Sequence, residues 1–335
     1  MVLSYVSTLD DLTSVEFEKK SFPTETPAEL TAFARRLIVG ERAPFDPQRG
    51  LDLLSRAKAL GDPEAPQVEA TLAAAGAWRA QSWDDALDLL GEGAERGAAM
   101  ARRQLELLAG ARGPHETWRA LARRVDVARW LDVPPRRPIC EAPRMRVGER
   151  FLPPAVCDWL IARAAGRLRR AEVADDYGAE ARFAEHRSNS AFLIDVMQAD
   201  VVIALVRARI SAFVKLPTIC FEPPQVLHYA VGEQFKPHFD FLRKTESGPG
   251  EYQGDRIMTF LLYLNDGYEG GETEFPRVGV SHKGAKGDCL VFANVDAAGR
   301  PDPLTLHAGA PVARGEKWAL SQWIHDRPFS GVPTV

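Results

Sequence analysis

Apolar and polar positions in this chain follow a helical spacing first and a strand spacing later. At 26–29, Thr-Pro-Ala-Glu puts an N-cap before a proline at the first helical position, and LTAFARRLIVG follows with Gly40 as its stop. An internal repeat comes next. Asp52-Leu53-Leu54 aligns with Asp88-Leu89-Leu90, Gly61 with Gly97, Ala65 with Ala101 and Leu72 with Leu108, a period of 36 (88 − 52 = 36). Helix pairs of that length bury their apolar faces only against a neighbour, so they stack. Trp78 and Trp83 fall between the units and pack against the next helix, and a helix over 116–131 with Trp118 and Trp130 caps the stack. Pro134-Pro135-Arg136-Arg137-Pro138 then stops the helical pattern and predicts an extended linker.

Beyond it, the spacing predicts two helices, over 153–170 and 200–214, with Val156, Leu160 and Ile161 on a buried face. From Cys220 onward, short apolar runs alternate with Gly and Pro turns: 224–230, 235–242, 257–264, 271–275, 288–293, 304–307 and 317–325. Regularly spaced short strands predict a closed or sandwiched β-structure, buttressed by the two helices. The organisation expected is an all-α domain over 1–133 with its repeats at about 50–110, a linker over 134–144, and a second domain over 145–335.

Composition narrows the function classes. A chain of 335 residues with 45% hydrophobic and 26% charged residues reads as an ordinary globular protein with room for two domains. A net charge of −4 leaves no footprint for nucleic acid or an anionic membrane. The first residues lack a basic segment followed by an apolar run, and no apolar stretch approaches the ~18 residues of a membrane span. Four cysteines without CxxC spacing read as reduced thiols. Together these predict a cytoplasmic protein that uses neither nucleic acid nor membrane.

The stretch 225–240, QVLHYAVGEQFKPHFD, is the chemical centre. On an extended strand His238 and Asp240 project from one face and supply two corners of a metal site. A third corner from elsewhere would make the two-histidine, one-carboxylate set that suits non-haem Fe(II). Downstream, His307 sits in a short apolar run and Lys317 follows ten residues later. Lys317, Ala319, Ser321 and Trp323 share one face by period two. A lysine facing a sheet interior needs an anion, and a dicarboxylate would supply it.

These pieces resemble the catalytic domain of the prolyl 4-hydroxylases, which are 2-oxoglutarate-dependent Fe(II) dioxygenases. The matching runs are 228–240, DRIMTFLLYLN at 255–265, GGETEFP at 270–276, Lys286-Gly287-Asp288 and DPLTLHAG at 302–309, continuing through Trp323. The resemblance spans about 145–329, more than half the chain. It implies an α+β fold: a double-stranded β-helix (jelly roll) with buttressing helices, preceded by the helical repeats. It implies His238, Asp240 and His307 as iron ligands and Lys317 as anchor for the distal carboxylate of 2-oxoglutarate, with ascorbate as accompanying reductant. Thr259 and Tyr263, on one face of their strand, are placed to help fix that anion, and Tyr229 corresponds to a tyrosine near the co-substrate. Glu222, Arg256 and Trp323 correspond to positions at the substrate mouth, and 174–187 to a loop that folds over substrate.

Phe235 stands where many members of that family carry tyrosine, which leaves the reaction intact and the substrate open. The reading is hydroxylation of prolyl residues in a peptide or protein. Its alternatives are hydroxylation of another side chain or a free amino acid, and a scaffold whose oxygenase domain is inactive. The repeats resemble tetratricopeptide-like helical pairs, which implies a protein partner there.

Overall fold

The computed structural model describes residues 26–171, 187–241 and 255–329. The chain divides into two compact units, one reaching Pro66 and one beginning at Gln67. In the first, helix α1 (Pro27–Val39) opens on a reciprocal cap: the Thr26 hydroxyl accepts from the Glu29 amide and the Glu29 carboxylate accepts from the Thr26 amide. It closes on Gly40 at φ 71°, the left-handed region that favours glycine. Helix α2 (Pro47–Ala59) presses on α1 at Gly50, where an added Cβ would lie 2.6 Å from Ile38 Cγ1.

Helix α3 (Glu64–Ala75) is followed by α4 (Trp83–Arg96), α5 (Ala99–Ala109), α6 (Trp118–Arg123) and α7 (Val127–Leu131). Starts at Pro47 and Trp83 are 36 apart (83 − 47 = 36), and those at Glu64 and Ala99 are 35 apart (99 − 64 = 35). The helix expected over 116–131 is two short ones, because Asp126 caps the second by accepting from the Arg129 amide at 3.0 Å.

The strands are β1 (Arg137–Glu141), β2 (Arg144–Gly148), β3 (Arg169–Arg170), β4 (Ser190–Leu193), β5 (Gln225–Tyr229), β6 (Phe235–His238), β7 (Arg256–Tyr263), β8 (Glu269–Gly270), β9 (Thr273–Phe275), β10 (Val280–His282), β11 (Cys289–Ala293), β12 (His307–Gly309), β13 (Val312–Arg314) and β14 (Lys317–His325). Helix α8 (Pro154–Ala164) lies between β2 and β3, and α9 (Val201–Val214) between β4 and β5. One sheet has the order β1-β2-β11-β7-β14-β5-β4-β3, a second β10-β9-β12-β6, and β13 pairs with β8. This is the α+β jelly roll with helices behind its larger sheet.

Alternation decides which side chains meet. From β7, Phe260 and Leu262 join Phe151 and Phe213 on the helix side, with Phe260 ring centroids 5.1 and 5.9 Å from those two rings. Leu261 and Tyr263 face the other way and line a pocket between the sheets. On β14, Trp318, Leu320 and Ile324 enter the helix-side core, whereas Lys317, Ala319, Ser321 and Trp323 line the pocket.

The expected linker is not one. Within 134–144, Arg137–Glu141 is a sheet strand paired with β2, and Pro138 is tolerated because β1 is the sheet's edge, with no outer neighbour awaiting its N–H. Nor do the helices before it form a separate domain ending at 133. Leu87, Leu90, Leu105 and Leu121 share one core with Phe151, Phe213 and Phe260. Gln104 Oε1 accepts from the Val201 amide at 2.9 Å and caps α9, and Arg209 of α9 donates to the carbonyls of Phe151 and Trp130. The strand expected over 304–307 is a 3₁₀ turn, Pro303–Thr305, and β12 begins at His307. The helix expected over 153–170 stops at Ala164. Residues 1–25 and the 174–186 part of the expected lid lie outside the described residues.

The cap at α9 gives a stability prediction. Gln104→Ala removes the acceptor of a buried amide, and the expected loss is about 1–3 kcal/mol. Urea unfolding followed by far-UV circular dichroism checks it, through a lower midpoint at unchanged slope.

Candidate active site

Strand pairing assembles the metal set. β6 ends on His238, Asp240 follows two residues later, and β12 pairs with β6 so that His307 is the register partner of His238. One ligand atom from each of His238, Asp240 and His307 lies within 4.8 Å of the others. His238 Nε2 is 3.6 Å from Asp240 Oδ1 and His307 Nε2 is 3.4 Å from Asp240 Oδ2. Both rings are held from behind. His238 Nδ1 donates to the Lys236 carbonyl at 2.8 Å and His307 Nδ1 to the Thr305 carbonyl at 3.0 Å. A carbonyl can only accept, so each Nδ1 carries a proton and each ring turns its Nε2 toward the Asp240 carboxylate, the side on which a metal would be held.

The protonation states suit a cation. Burial pushes the His307 imidazole down to about 4, helped by the neighbouring His238, so it is neutral at pH 7. Burial alone would raise Asp240. His307, His238 and the Thr259 hydroxyl outweigh it and hold that carboxyl well below the usual carboxylate range. Thr259 Oγ1 donates to Asp240 Oδ2 at 2.7 Å and in turn accepts from Asn294 Nδ2 at 3.0 Å. An ionised carboxylate, the neutral His307 imidazole and the His238 ring on one side of a cavity fit Fe(II) with open positions. Phe235 stacks on His238 with centroids 3.4 Å apart at 14°, and Phe275 and Phe292 pack on His307.

Lys317 sits in the same pocket and is 5% exposed. Its ammonium donates to the Gly271 carbonyl at 2.7 Å and lies 5.2 and 5.8 Å from the ring centroids of Tyr229 and Tyr263. Among the described residues no carboxylate lies within ion-pair distance of it. Burial pushes it down to about 8. A buried cation on a carbonyl and two aromatic faces is a seat for an anion.

The structure brings His238, Asp240, His307, Lys317, Tyr229, Tyr263 and Trp323 to one pocket. Thr259 is a correction. It shares a strand face with Tyr263, but four residues on a strand span roughly 13 Å. Thr259 therefore stands at the metal end, where its hydroxyl is spent on Asp240, and not at the Lys317 end. The hydroxyl that the reading missed is Thr273, whose Oγ1 is 3.1 Å from Tyr263 Oη and which also lines the pocket. It lies inside the quoted GGETEFP run.

Glu222 and Arg256 do not line the pocket. The Arg256 fork donates to Glu222 from Nε at 2.5 Å and from Nη2 at 3.0 Å, and His325 Nε2 is 2.6 Å from Glu222 Oε1. Although burial opposes it, His325 and Arg256 hold the Glu222 carboxyl below its ordinary value. The Arg256 guanidinium lies 3.8 Å from the centroid of Trp323 and braces that ring from behind. These two residues act on the pocket through Trp323. Arg187 was also missed. It is buried, lines the pocket, lies 4.8 Å over Phe235 and donates to Asn189 Oδ1 at 2.9 Å. A lone arginine before an apolar strand gave no periodic signal. His228 faces away, 2.7 Å from Glu316.

Known proteins share parts of this sequence. The family model described as 2OG-Fe(II) oxygenase superfamily matches residues 224–325. Prolyl 4-hydroxylase 2 of Arabidopsis thaliana is 34% identical over 218 residues, which cover 58% of this chain and 72% of that protein. Prolyl 4-hydroxylase subunit alpha-1 of Rattus norvegicus is 39% identical over 169 residues, 49% of this chain and 31% of that protein. Among solved structures, the viral collagen prolyl hydroxylase of Paramecium Bursaria Chlorella virus-1, in complex with 2OG, is 27% identical. That alignment covers 56% of this chain and 98% of the viral one, at a TM-score of 0.43.

Proposed function

Because this chain belongs to the 2OG-Fe(II) oxygenase superfamily, among its prolyl 4-hydroxylases, we propose that it hydroxylates prolyl residues of a peptide or protein. The substrate C–H, dioxygen and 2-oxoglutarate become C–OH, succinate and carbon dioxide. Bound Fe(II) supplies the redox centre at which dioxygen is spent on both substrates. His238, Asp240 and His307 would hold it. Lys317 binds the distal carboxylate, with the Tyr263–Thr273 hydroxyl pair beside it. Tyr229, Phe235 and Trp323 line the pocket with apolar area and keep water from the reacting carbon. Trp323, braced by Arg256, supplies the face on which a proline ring packs.

One observation carries this reading: a convergent triad and a buried cation with no carboxylate within ion-pair distance among the described residues line one pocket. Ascorbate as reductant, a protein partner on the helical pairs and a cytoplasmic location belong to the same proposal. The free thiols Cys140, Cys157, Cys220 and Cys289 support the last.

Purified protein with Fe(II), 2-oxoglutarate and a proline peptide is expected to release one succinate per proline that gains the mass of one oxygen atom. Turnover confined to free proline or to proline-free peptides contradicts the proposal.

A further inference from the structure

Strand register carries the pocket floor outward to a side chain that the site does not use. On β14, β5 and β4, the register partners Ser321, Gln225 and Leu193 form one row, and partners in antiparallel pairs share a face. Ser321 lines the pocket, and Gln225 Oε1 accepts at 3.5 Å from Arg187, which lines it too. The next row inward, Ala319, Leu227 and Ala191, keeps that face, while Phe192 and Val226 point oppositely into the helix-side core. Leu193 therefore stands on the pocket face of an outer strand, and it is 49% exposed. It is an exposed apolar side chain two strands out from Ser321, on the face that lines the pocket.

The spacing of that row suits one kind of ligand. With the Lys317 end taken by a dicarboxylate, substrate enters at the Ser321–Trp323 end. From β14 to β4 is two inter-strand steps, roughly 9–10 Å. A polyproline II segment advances about 3.1 Å per residue and returns to the same face every three residues. A residue three positions from a proline seated over Ser321 thus arrives over Leu193 and faces it. Between the two stands Gln225, the register partner of both.

We propose that Leu193 is a substrate subsite that receives an apolar side chain three residues from the target proline, on a peptide held extended. This rests on the prolyl reading above and names the sequence context that reading leaves open. The pocket alone accepts a proline; the row from Ser321 to Leu193 selects which proline.

Peptides of one proline each, with leucine or serine at the third position on its N-terminal side, test this, and a second pair carries the same residues on the C-terminal side. Fluorescence anisotropy on the full chain with 2-oxoglutarate and no added iron gives the affinity, and succinate release gives KM and kcat. For one of the two directions, leucine is expected to lower both Kd and KM about tenfold relative to serine, as partial burial of one leucine gives, with kcat unchanged. Leu193→Asp is expected to erase that preference and Leu193→Met to keep it, and neither is expected to move the KM for 2-oxoglutarate. Leu193 is exposed, so the fold is not at stake. Equal binding of leucine and serine in both directions overturns the subsite, as does a leucine preference that survives Leu193→Asp. Failure of the prolyl reading looks different: no peptide of the set then yields succinate, and the subsite falls with it.

Discussion

His238→Ala and His307→Gln are each expected to bring succinate production to background and to weaken Fe(II) binding at least ~100-fold, with the fold retained. The two imidazoles are held by the Lys236 and Thr305 carbonyls so that their Nε2 atoms meet the Asp240 carboxylate. Removing one leaves two ligands, which hold a labile divalent ion poorly. Glutamine at 307 keeps most of the volume that packs against Phe275 and Phe292. Thr259→Val should act more mildly, lowering iron affinity roughly 10–100-fold, because it strips Asp240 of a hydroxyl donor and leaves the three ligands in place. Metal titration with a chromogenic chelator, alongside circular dichroism, separates metal loss from unfolding. Near-normal succinate release from either histidine variant removes that residue from the triad.

Lys317→Ala is the second large effect. Its ammonium is the buried cation at the co-substrate end, and a charge-assisted contact contributes about 1.5–3 kcal/mol, so the KM for 2-oxoglutarate should rise on the order of 10–100-fold. Iron affinity should be unchanged. Lys317→Arg should recover only part of the loss, because the longer planar head cannot sit on the Gly271 carbonyl between the two tyrosine rings. The pH dependence follows from burial. With the free-enzyme lysine pushed down to about 8, the ammonium is charged below that pH and loses its proton above it. kcat/KM for 2-oxoglutarate should therefore fall as pH rises through about 8, and that limb should vanish in Lys317→Ala. An unchanged requirement for 2-oxoglutarate in the alanine variant takes Lys317 out of the site.

Most of the metal site was legible because its residues obey local rules. His238 ends β6 and Asp240 follows two residues on, so their spacing brings both to one site, and period two on β14 sends Lys317, Ser321 and Trp323 into the same pocket. What could not be read were distances set by tertiary packing. Thr259 and Tyr263 share a face, yet four residues of strand separate the metal end from the anion end. Glu222 and Arg256 neutralise each other behind Trp323, and no spacing in the sequence announces a pairing across 34 residues (256 − 222 = 34). The boundary at 134–144 misled for a related reason. Prolines read as a linker, but at a sheet edge a missing N–H costs little, and the apolar faces of the helices before it meet α9 and Phe151 in one core.

Turnover under isotopically labelled dioxygen tests the central claim most directly. With Fe(II), 2-oxoglutarate and a peptide carrying one proline, one labelled oxygen atom should appear in succinate and one in the prolyl residue, in equal amounts, and both should disappear in His238→Ala. Labelled succinate with no label in any peptide residue, or a peptide hydroxylated without succinate, contradicts the account.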